Sequence, residues 1–370
     1  MPNTQPQAPL ASSHHPPAST STSSTTSSNT PRGNITIFLL TVLVGIVVSY
    51  IVSPSSFAAL AASARSRLAL GPLRSGHSVA SGVSGVGVGN SKNKTGAMAR
   101  TPVYFLSHGG PNIMYQHDHP AHRKLQEIGK EITSKVKPRA VVVFSAHWQG
   151  EKDTILVNNA EITELIYDFY GFPDHYYKEK YPNVGSREIA QKVIDAIKGA
   201  GLKAEGVKRG LDHGVWAGFK CAFDPDSNPL NVPIIQASLF DTEDPTQHYA
   251  LGRAVSALRD ENIQIIVSGM AVHNLRDFRL TFGNPTPMPY TTSFDEALKE
   301  AVTKPVAERE QAMKELLARP DARQAHPSFD HLLPIHVGAG AAGEDLGRRL
   351  WTLKEGSLSW AQFRFGEVAA

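Results

Sequence analysis

Three short stretches of this chain share one pattern, in which a run of apolar residues ends at small residues and a histidine. They are "VYFLSHGGP" (103–111), "VVVFSAHW" (141–148) and "IQIIVSGMAVHNLR" (263–276). Short, continuous apolar runs predict strands that are buried on both faces, as in parallel sheets. The chain is therefore restricted to folds in which several buried strands end at polar side chains.

Between these runs, apolar residues recur with helical spacing. In "SREIAQKVIDAIKGAG" (186–201), Ile189, Val193 and Ile197 share one face and Ser186 is a suitable N-cap. The alternation predicts an α/β fold: one globular domain, residues 101–370, with a central, largely parallel or mixed sheet flanked by helices. The other predicted helices are 245–262, 293–303 and 306–317. The predicted strands are 103–107, 140–145, 155–157, 232–239, 263–268 and a last strand in "SLSWAQFRF" (357–365).

His108, His147 and His273 follow the predicted strand ends. In open α/β sheets the ligand crevice lies outside the carboxyl ends of the strands. Each of the three histidines has small neighbours, which let a ligand approach the backbone closely. We therefore expect the three imidazoles to share one polar site.

Imidazole is the commonest metal ligand near neutral pH. More histidines occur in "LDHGVWAGF" (211–219), which contains His213, and in "HPSFDHLLPIHVGAGAAGED" (326–345), which contains His326, His331 and His336. The chain has no close-spaced ligand signature such as H-E-x-x-H or paired C-x-x-C. A metal site must therefore be assembled from distant loops.

The densest histidine cluster is "HDHPAH" (117–122). It leads into the polar start of a predicted helix, where a solvated surface turn is the simpler interpretation. We therefore do not expect it to belong to the site.

Six motifs in this order resemble the class III extradiol ring-cleavage dioxygenases, in the branch described as DOPA 4,5-dioxygenase-like. The resemblance covers residues 101–368. The motifs are "FLSHGGP", "VVVFSAHW", "YDFYGFP", "LDHGVWAGF", "VSGMAVHNLR" and "HLLPIHVGAGAAGED". The fold of that family is an α/β sheet between helices, in agreement with the pattern above.

The resemblance implies that His108 and His147 bind one non-haem divalent metal and that His331 takes the place of the third ligand. It implies that His273 is the catalytic acid/base and that His213 contacts substrate or dioxygen. Better-studied iron members have a glutamate at the third position. An all-imidazole set suits Zn(II) as well as the Fe(II) expected for activity.

The implied substrates are a DOPA-like catechol and dioxygen. Metal binding lowers the pKa of catechol hydroxyls, and a neutral histidine within reach can take the proton. His213 would donate a hydrogen bond to charge developing on oxygen. Aromatic side chains should hold the ring. The candidates for this wall are Trp148, Tyr167, Phe169 and Trp216.

Two other functions fit the same histidines. A zinc-dependent hydrolase would use the metal to activate water, with His273 as its base. A non-catalytic, metal-binding signalling protein would use the site without turnover.

The first hundred residues differ sharply in composition, because they contain seven basic residues and no Asp or Glu. The remaining residues carry 30 basic and 34 acidic side chains, and this balance argues against nucleic-acid binding. We expect a disordered Ser/Thr/Pro-rich leader (1–34), a transmembrane or targeting helix (35–52) and a flexible basic linker (53–100). The single cysteine, Cys221, excludes an internal disulfide and suits a reducing compartment.

The run "ITIFLLTVLVGIVVSYIV" (35–52) is uncharged and just long enough to span a bilayer as a helix. Basic residues lie mostly after it, which favours a membrane-anchored protein with a cytoplasmic catalytic domain. The absence of acidic residues also resembles a mitochondrial import leader. The protein would be cytosolic if translation started at Met98.

Overall fold

The computed structural model describes residues 100–368, and apart from Arg100 the three predicted leader segments (1–34, 35–52 and 53–100) lie outside this range. Eleven strands form two sheets in the described residues. The strands are β1 (Val103–Ser107), β2 (Ala140–Gln149), β3 (Thr154–Asn158), β4 (Lys203–Val207), β5 (Ile234–Leu239), β6 (Ile263–Gly269), β7 (Val272–His273), β8 (Gly347–Trp351), β9 (Lys354–Glu355), β10 (Leu358–Ser359) and β11 (Gln362–Phe365).

Helices separate most of the strands up to β7, as the sequence pattern predicts, whereas five helices in succession lie between β7 and β8. The helices are α1 (Pro120–Glu131), α2 (Arg187–Gly199), α3 (His213–Ala222), α4 (Pro245–Val255), α5 (Leu275–Thr281), α6 (Pro289–Thr303), α7 (Val306–Leu317), α8 (Ala322–Ala325) and α9 (Leu333–Ala341). Single turns of 3-10 or π type are Pro111–Tyr115, Ile132–Val136, Asp174–Lys178 and Ser256–Glu261. Ser186 caps α2 by accepting a hydrogen bond from the backbone N–H of Ile189, as predicted.

The main sheet has eight strands in the order β4-β3-β5-β2-β6-β1-β11-β8. Strands β5, β2, β6 and β1 are mutually parallel, whereas β11 runs antiparallel to both β1 and β8. Strands β3 and β4 are parallel to each other, and β3 is antiparallel to β5. The prediction of a mixed, largely parallel sheet is therefore confirmed.

Helices cover both faces of this sheet. Alternate residues of β1 belong to different cores, with Val103 and Phe105 on one face and Tyr104 and Leu106 on the other. The first core packs against α2, α4, α6, α7 and α9, and the second packs against α1 and α3. Burial on both faces explains why these strands read as continuous apolar runs.

One predicted element is wrong in detail. The segment "SLSWAQFRF" forms two strands instead of one: β11 joins the main sheet, whereas β10 pairs with β7 and β9 in a separate three-stranded sheet. This small sheet places Leu358 directly opposite His273, with Glu355 one strand further away. Within residues 100–368, no helix combines the length and apolar composition needed to cross a bilayer.

Candidate metal centre and active site

His108 directly follows β1 and is buried. Its backbone N–H donates to the carbonyl of Gly269 at the end of β6, and its Nδ1 lies 2.7 Å from the carbonyl oxygen of Gly109. That carbonyl can only accept, so Nδ1 carries the hydrogen and Nε2 presents a lone pair. Nε2 is buried and has no hydrogen-bond partner in the described residues.

His147 lies within β2, which continues to Gln149, rather than beyond the strand end as the sequence suggested. Its Nδ1 is 2.9 Å from Oδ2 of Asp168. The other carboxylate oxygen of Asp168 accepts from both Nδ1 and the backbone N–H of His213, each at 2.9 Å. One carboxylate therefore orients two imidazoles.

His331 precedes α9, and its ring lies beside those of His108 and His147. Its Nδ1 is 2.9 Å from Oδ2 of Asp330, and its Nε2 is 3.2 Å from Nε2 of His147. Two such nitrogens at this distance need a proton or a cation between them, because their lone pairs repel.

Candidate ligand atoms of His108, His147 and His331 all lie within 4.8 Å of one another. Each Nδ1 has an oxygen acceptor, an arrangement that fixes the tautomer of metal-binding histidines and points Nε2 at the ion. Burial, then the neighbouring imidazoles, hold the pKa of His108 and His331 well below the usual range, so both rings are neutral near pH 7. This donor set fits a divalent non-haem metal.

Asp168 is the residue that most strongly offsets the effect of burial on His147. Burial alone would lower the pKa of His147, but the hydrogen bond to Asp168 and nearby carboxylates raise it. Burial would likewise raise the pKa of Asp168, and the hydrogen bonds from His147 and His213 hold it well below its usual range. Asp168 is therefore an anion that makes His147 a more basic ligand.

His273 lies in β7 with its ring stacked on that of His331, the centroids 3.7 Å apart and the planes 15° apart. Burial, then the neighbouring His331, hold its pKa well below the usual range. The ring is therefore neutral near pH 7. Asn274 fixes the following turn, because its side chain accepts from the backbone N–H groups of Arg276 and Asp277.

The cluster opens into a cavity of about 1050 Å³, large enough for a substituted aromatic ring. His108, His147, His213, His273 and His331 all line it. Residues with side chains suited to hold an aromatic ring on its walls are Phe169, Tyr170, Phe172, Met270, Phe278, Phe282 and Trp360.

Only one of the four predicted wall aromatics, Phe169, lines this cavity. Trp216 is fully buried behind it and donates its indole N–H to the carbonyl of Ile166. Tyr167 packs against Trp216, and Trp148 lies under the guanidinium of Arg209. Trp148, Tyr167 and Trp216 are therefore not part of the cavity lining, and their contact with substrate stays a prediction.

The interpretation of "HDHPAH" as a solvated turn is also wrong in part. His117 is exposed, but His122 is buried, and its Nδ1 bonds the carbonyl of Ile113. His119 caps α1, lines the cavity and lies 3.0 Å from the carboxylate of Glu355. A histidine directly before the first proline of a helix was the available signal for this cap.

Two glycines allow the segments around the cavity to pack closely against each other. Gly109 has a φ of +65°, and a Cβ there would lie 2.1 Å from the Trp360 ring. A Cβ on Gly214 would lie 2.6 Å from Cδ2 of His147. Glycine is therefore required where β1 ends and where α3 begins.

Sequence reasoning missed Asp168, Asp330, His119, Glu355 and Trp360. Asp168 stands inside the "YDFYGFP" motif, of which only the aromatic neighbours Tyr167 and Phe169 are predicted as site residues. Asp330 directly precedes His331, and an acidic residue beside a candidate ligand is a readable signal. Glu355 and Trp360 carry no local signal, because only the three-stranded sheet brings them to the cavity.

Comparisons with known proteins show the family of this chain. A family model described as the catalytic LigB subunit of aromatic ring-opening dioxygenase matches residues 101–362. A protein of Beta vulgaris named 4,5-DOPA dioxygenase extradiol is 36% identical over 275 residues, which is 71% of this chain and 96% of the relative. A protein of Escherichia coli with the same name is 31% identical over 271 residues, covering 72% of this chain and 95% of the relative.

A solved structure is also similar. The crystal structure of an uncharacterised protein from Escherichia coli K12 superposes with a TM-score of 0.57 at 29% identity, covering 72% of this chain and all of that one. The matched family segment runs from β1 to the first residue of β11 and includes every histidine of the cluster. The chain therefore belongs to the LigB family of aromatic ring-opening dioxygenases and is an extradiol dioxygenase for catechol-type substrates.

Proposed function

We propose that this enzyme opens the ring of a DOPA-like catechol beside the diol, with Fe(II) held by His108, His147 and His331. The observation that carries the proposal is the convergence of three Nε2 atoms beside a stacked, neutral fourth imidazole, His273. Fe(II) bound there would supply a Lewis acid and redox centre at which both catechol oxygens and dioxygen can meet. Zn(II) suits the same three imidazoles but lacks the redox chemistry.

His273 would act as the acid/base. Its low pKa keeps a lone pair available for a catechol hydroxyl proton, which the imidazolium can return as the ring opens. His273 is not in the set of converging ligand atoms, which supports a role toward substrate.

His213 would contact oxygen-borne charge, but its hydrogen bonding differs from the sequence-based expectation. Nδ1 faces the Asp168 carboxylate, so a neutral His213 presents a lone pair at Nε2 and accepts. Burial lowers the pKa of His213 below its ordinary value; the hydrogen bond to Asp168 offsets part of this shift, and the neighbouring His147 adds to it. His213 can donate from Nε2 only after it takes up a proton, and Asp168 would stabilise that charged ring.

The cavity walls support binding of a single aromatic ring. Phe169 packs edge-on against His213, with ring centroids 5.4 Å apart, and Met270 and Trp360 close the wall near Gly109. These apolar groups would hold the ring and exclude water around His273.

The decisive experiment is reconstitution of metal-free protein without oxygen, using Fe(II) or Zn(II), followed by addition of L-DOPA and oxygenated buffer. We expect one equivalent of oxygen to be consumed per ring opened, with a visible-absorbing product, in the Fe(II) sample alone. Hydrolysis of an added catechol ester or amide with Zn(II) and without oxygen would favour the hydrolase, and metal binding without turnover on any catechol would favour the signalling protein.

We further propose that the protein is membrane-anchored through residues 35–52 with its catalytic domain in the cytoplasm. The support is the uncharged length of that run and the basic residues that follow it. The full chain should sediment with membranes after carbonate washing, and a chain starting at Met98 should be soluble and folded. Mitochondrial import would appear as cleavage of the leader, and a soluble full chain would contradict the anchor.

A further inference from the structure

The small three-stranded sheet places one carboxylate on the same wall as His273. Leu358 of β10 pairs with His273 of β7 and, on its other side, with Glu355 of β9. Directly opposed residues of antiparallel strands point to the same face, and all three residues line the cavity. Glu355 and His273 are two strand spacings apart in this sheet, so their Cα atoms are separated by about 10 Å. This separation suits a short tail on a ring held beside His273.

Glu355 is held by a histidine that is neutral in this geometry. His119 Nε2 lies 3.0 Å from Oε2 of Glu355, and His119 Nδ1 accepts the backbone N–H of Ala121 as the N-cap of α1. A ring nitrogen that accepts cannot carry a hydrogen, so the proton is on Nε2 and is donated to Glu355. The pair therefore carries a net charge of about −1.

No other group of the described chain neutralises that charge. No lysine or arginine lies within salt-bridge distance of Glu355, whose side chain is 34% exposed. The cavity's other carboxylates, Asp168 and Asp330, are bound to the imidazoles of the metal centre. Arg279 also lines the cavity, but it is exposed on α5 and makes no ion pair in residues 100–368.

We propose that Glu355, oriented by His119, is the specificity-determining residue that receives the ammonium group of a catechol carrying a short amine tail. The inference rests on the proposed ring cleavage and adds the chemical class of the substituent that the catechol carries, a short tail ending in an amine. Leu358 would contact the methylene carbons between ring and amine, and the Trp360 ring, which packs on His119 with centroids 4.9 Å apart, would form the adjoining wall.

The test compares three substrates with the same ring and tails of different charge: dopamine, 4-methylcatechol and 3,4-dihydroxyphenylpropionate. In the Fe(II) enzyme, Glu355→Gln should lower kcat/KM for dopamine by about 10- to 100-fold, the usual weight of a charged hydrogen bond. The neutral catechol should change by less than about 3-fold and the anionic one should improve, because only interactions with the tail differ. Glu344→Gln, the same change at an exposed glutamate outside the cavity, is the matched control.

A second measurement does not need turnover. Binding of dopamine to metal-free protein, measured by titration calorimetry without oxygen, should weaken in Glu355→Gln, and binding of 4-methylcatechol should not. An equal loss for all three substrates would mean that Glu355 only fastens β9 to α1, and an unchanged preference would remove it from the site. Either of these results would overturn the role of Glu355 and leave the proposed ring cleavage by the wild-type enzyme untouched. If the wild-type enzyme cleaves no catechol but still binds dopamine selectively through Glu355, only the proposed reaction is overturned.

Discussion

Replacing His108 by alanine is expected to leave the folded protein without a stoichiometric metal ion. His108 is the one ligand candidate that enters from β1, and its Nε2 has no other partner in the described residues. Its side chain bonds only the neighbouring carbonyl of Gly109, and its backbone hydrogen bond to Gly269 survives the change. The loss should exceed the roughly 10- to 100-fold decrease in metal affinity that follows removal of an outer-sphere partner. Metal content after gel filtration and competition with a chelator measure this.

Two further variants provide a control and an intermediate case for the loss of metal in His108→Ala. His117→Ala removes an exposed imidazole outside the cavity and should keep a full equivalent of metal. Asp168→Asn offers one acceptor oxygen where two imidazoles now donate, so His147 or His213 loses its orientation. Metal affinity should fall to an intermediate value. A His108→Ala protein that holds metal as tightly as wild type would show that the three nitrogens do not share an ion.

The central strands were predictable because they are buried on both faces. Strand β1 begins and ends at the predicted residues, and β6 extends one residue further. In contrast, β8 carries two arginines and is only half buried, so its sequence has no continuous apolar run. Helix α9 is buried all round, and its glycine-rich sequence shows no amphipathic period. A strand that is buried on both faces is therefore easy to recognise in the sequence as an apolar run, whereas a helix that is buried on all sides lacks the amphipathic period by which helices are recognised.

The imidazole cluster was predictable for a topological reason. In a parallel sheet the residues that follow adjacent strands meet at one edge, and β1 and β6 are neighbours. His213 and His331 needed the resemblance to known dioxygenases, since neither follows a strand. The carboxylates behind the ring nitrogens were missed because their function depends on distance through space. Asp168 is 21 residues from His147 and 45 from His213 along the chain.

Replacing His273 should have the opposite effect on metal binding from replacing His108: the protein should keep its metal ion but lose ring cleavage. The His273 ring stacks on that of His331, and His273 is not among the three residues whose ligand atoms converge, so the three-histidine set stays complete without it. Loss of a positioned acid/base typically costs about 10²- to 10⁴-fold in rate, and we expect a fall in kcat/KM within that range. Oxygen uptake and metal content measured on the same sample separate the two effects.

His273→Phe is the informative variant beside His273→Ala. Alanine removes both the proton acceptor and the stacking contact that orients His331, whereas phenylalanine keeps an aromatic face there and removes only the nitrogens. If His273 acts through its nitrogen, the two variants are equally inactive and both bind metal. Recovery of turnover in His273→Phe would instead mean that the ring serves as packing for His331. His213 would then be the first candidate to take the proton, because it lines the cavity outside the three-ligand set and its ring lies 4.1 Å from that of His147.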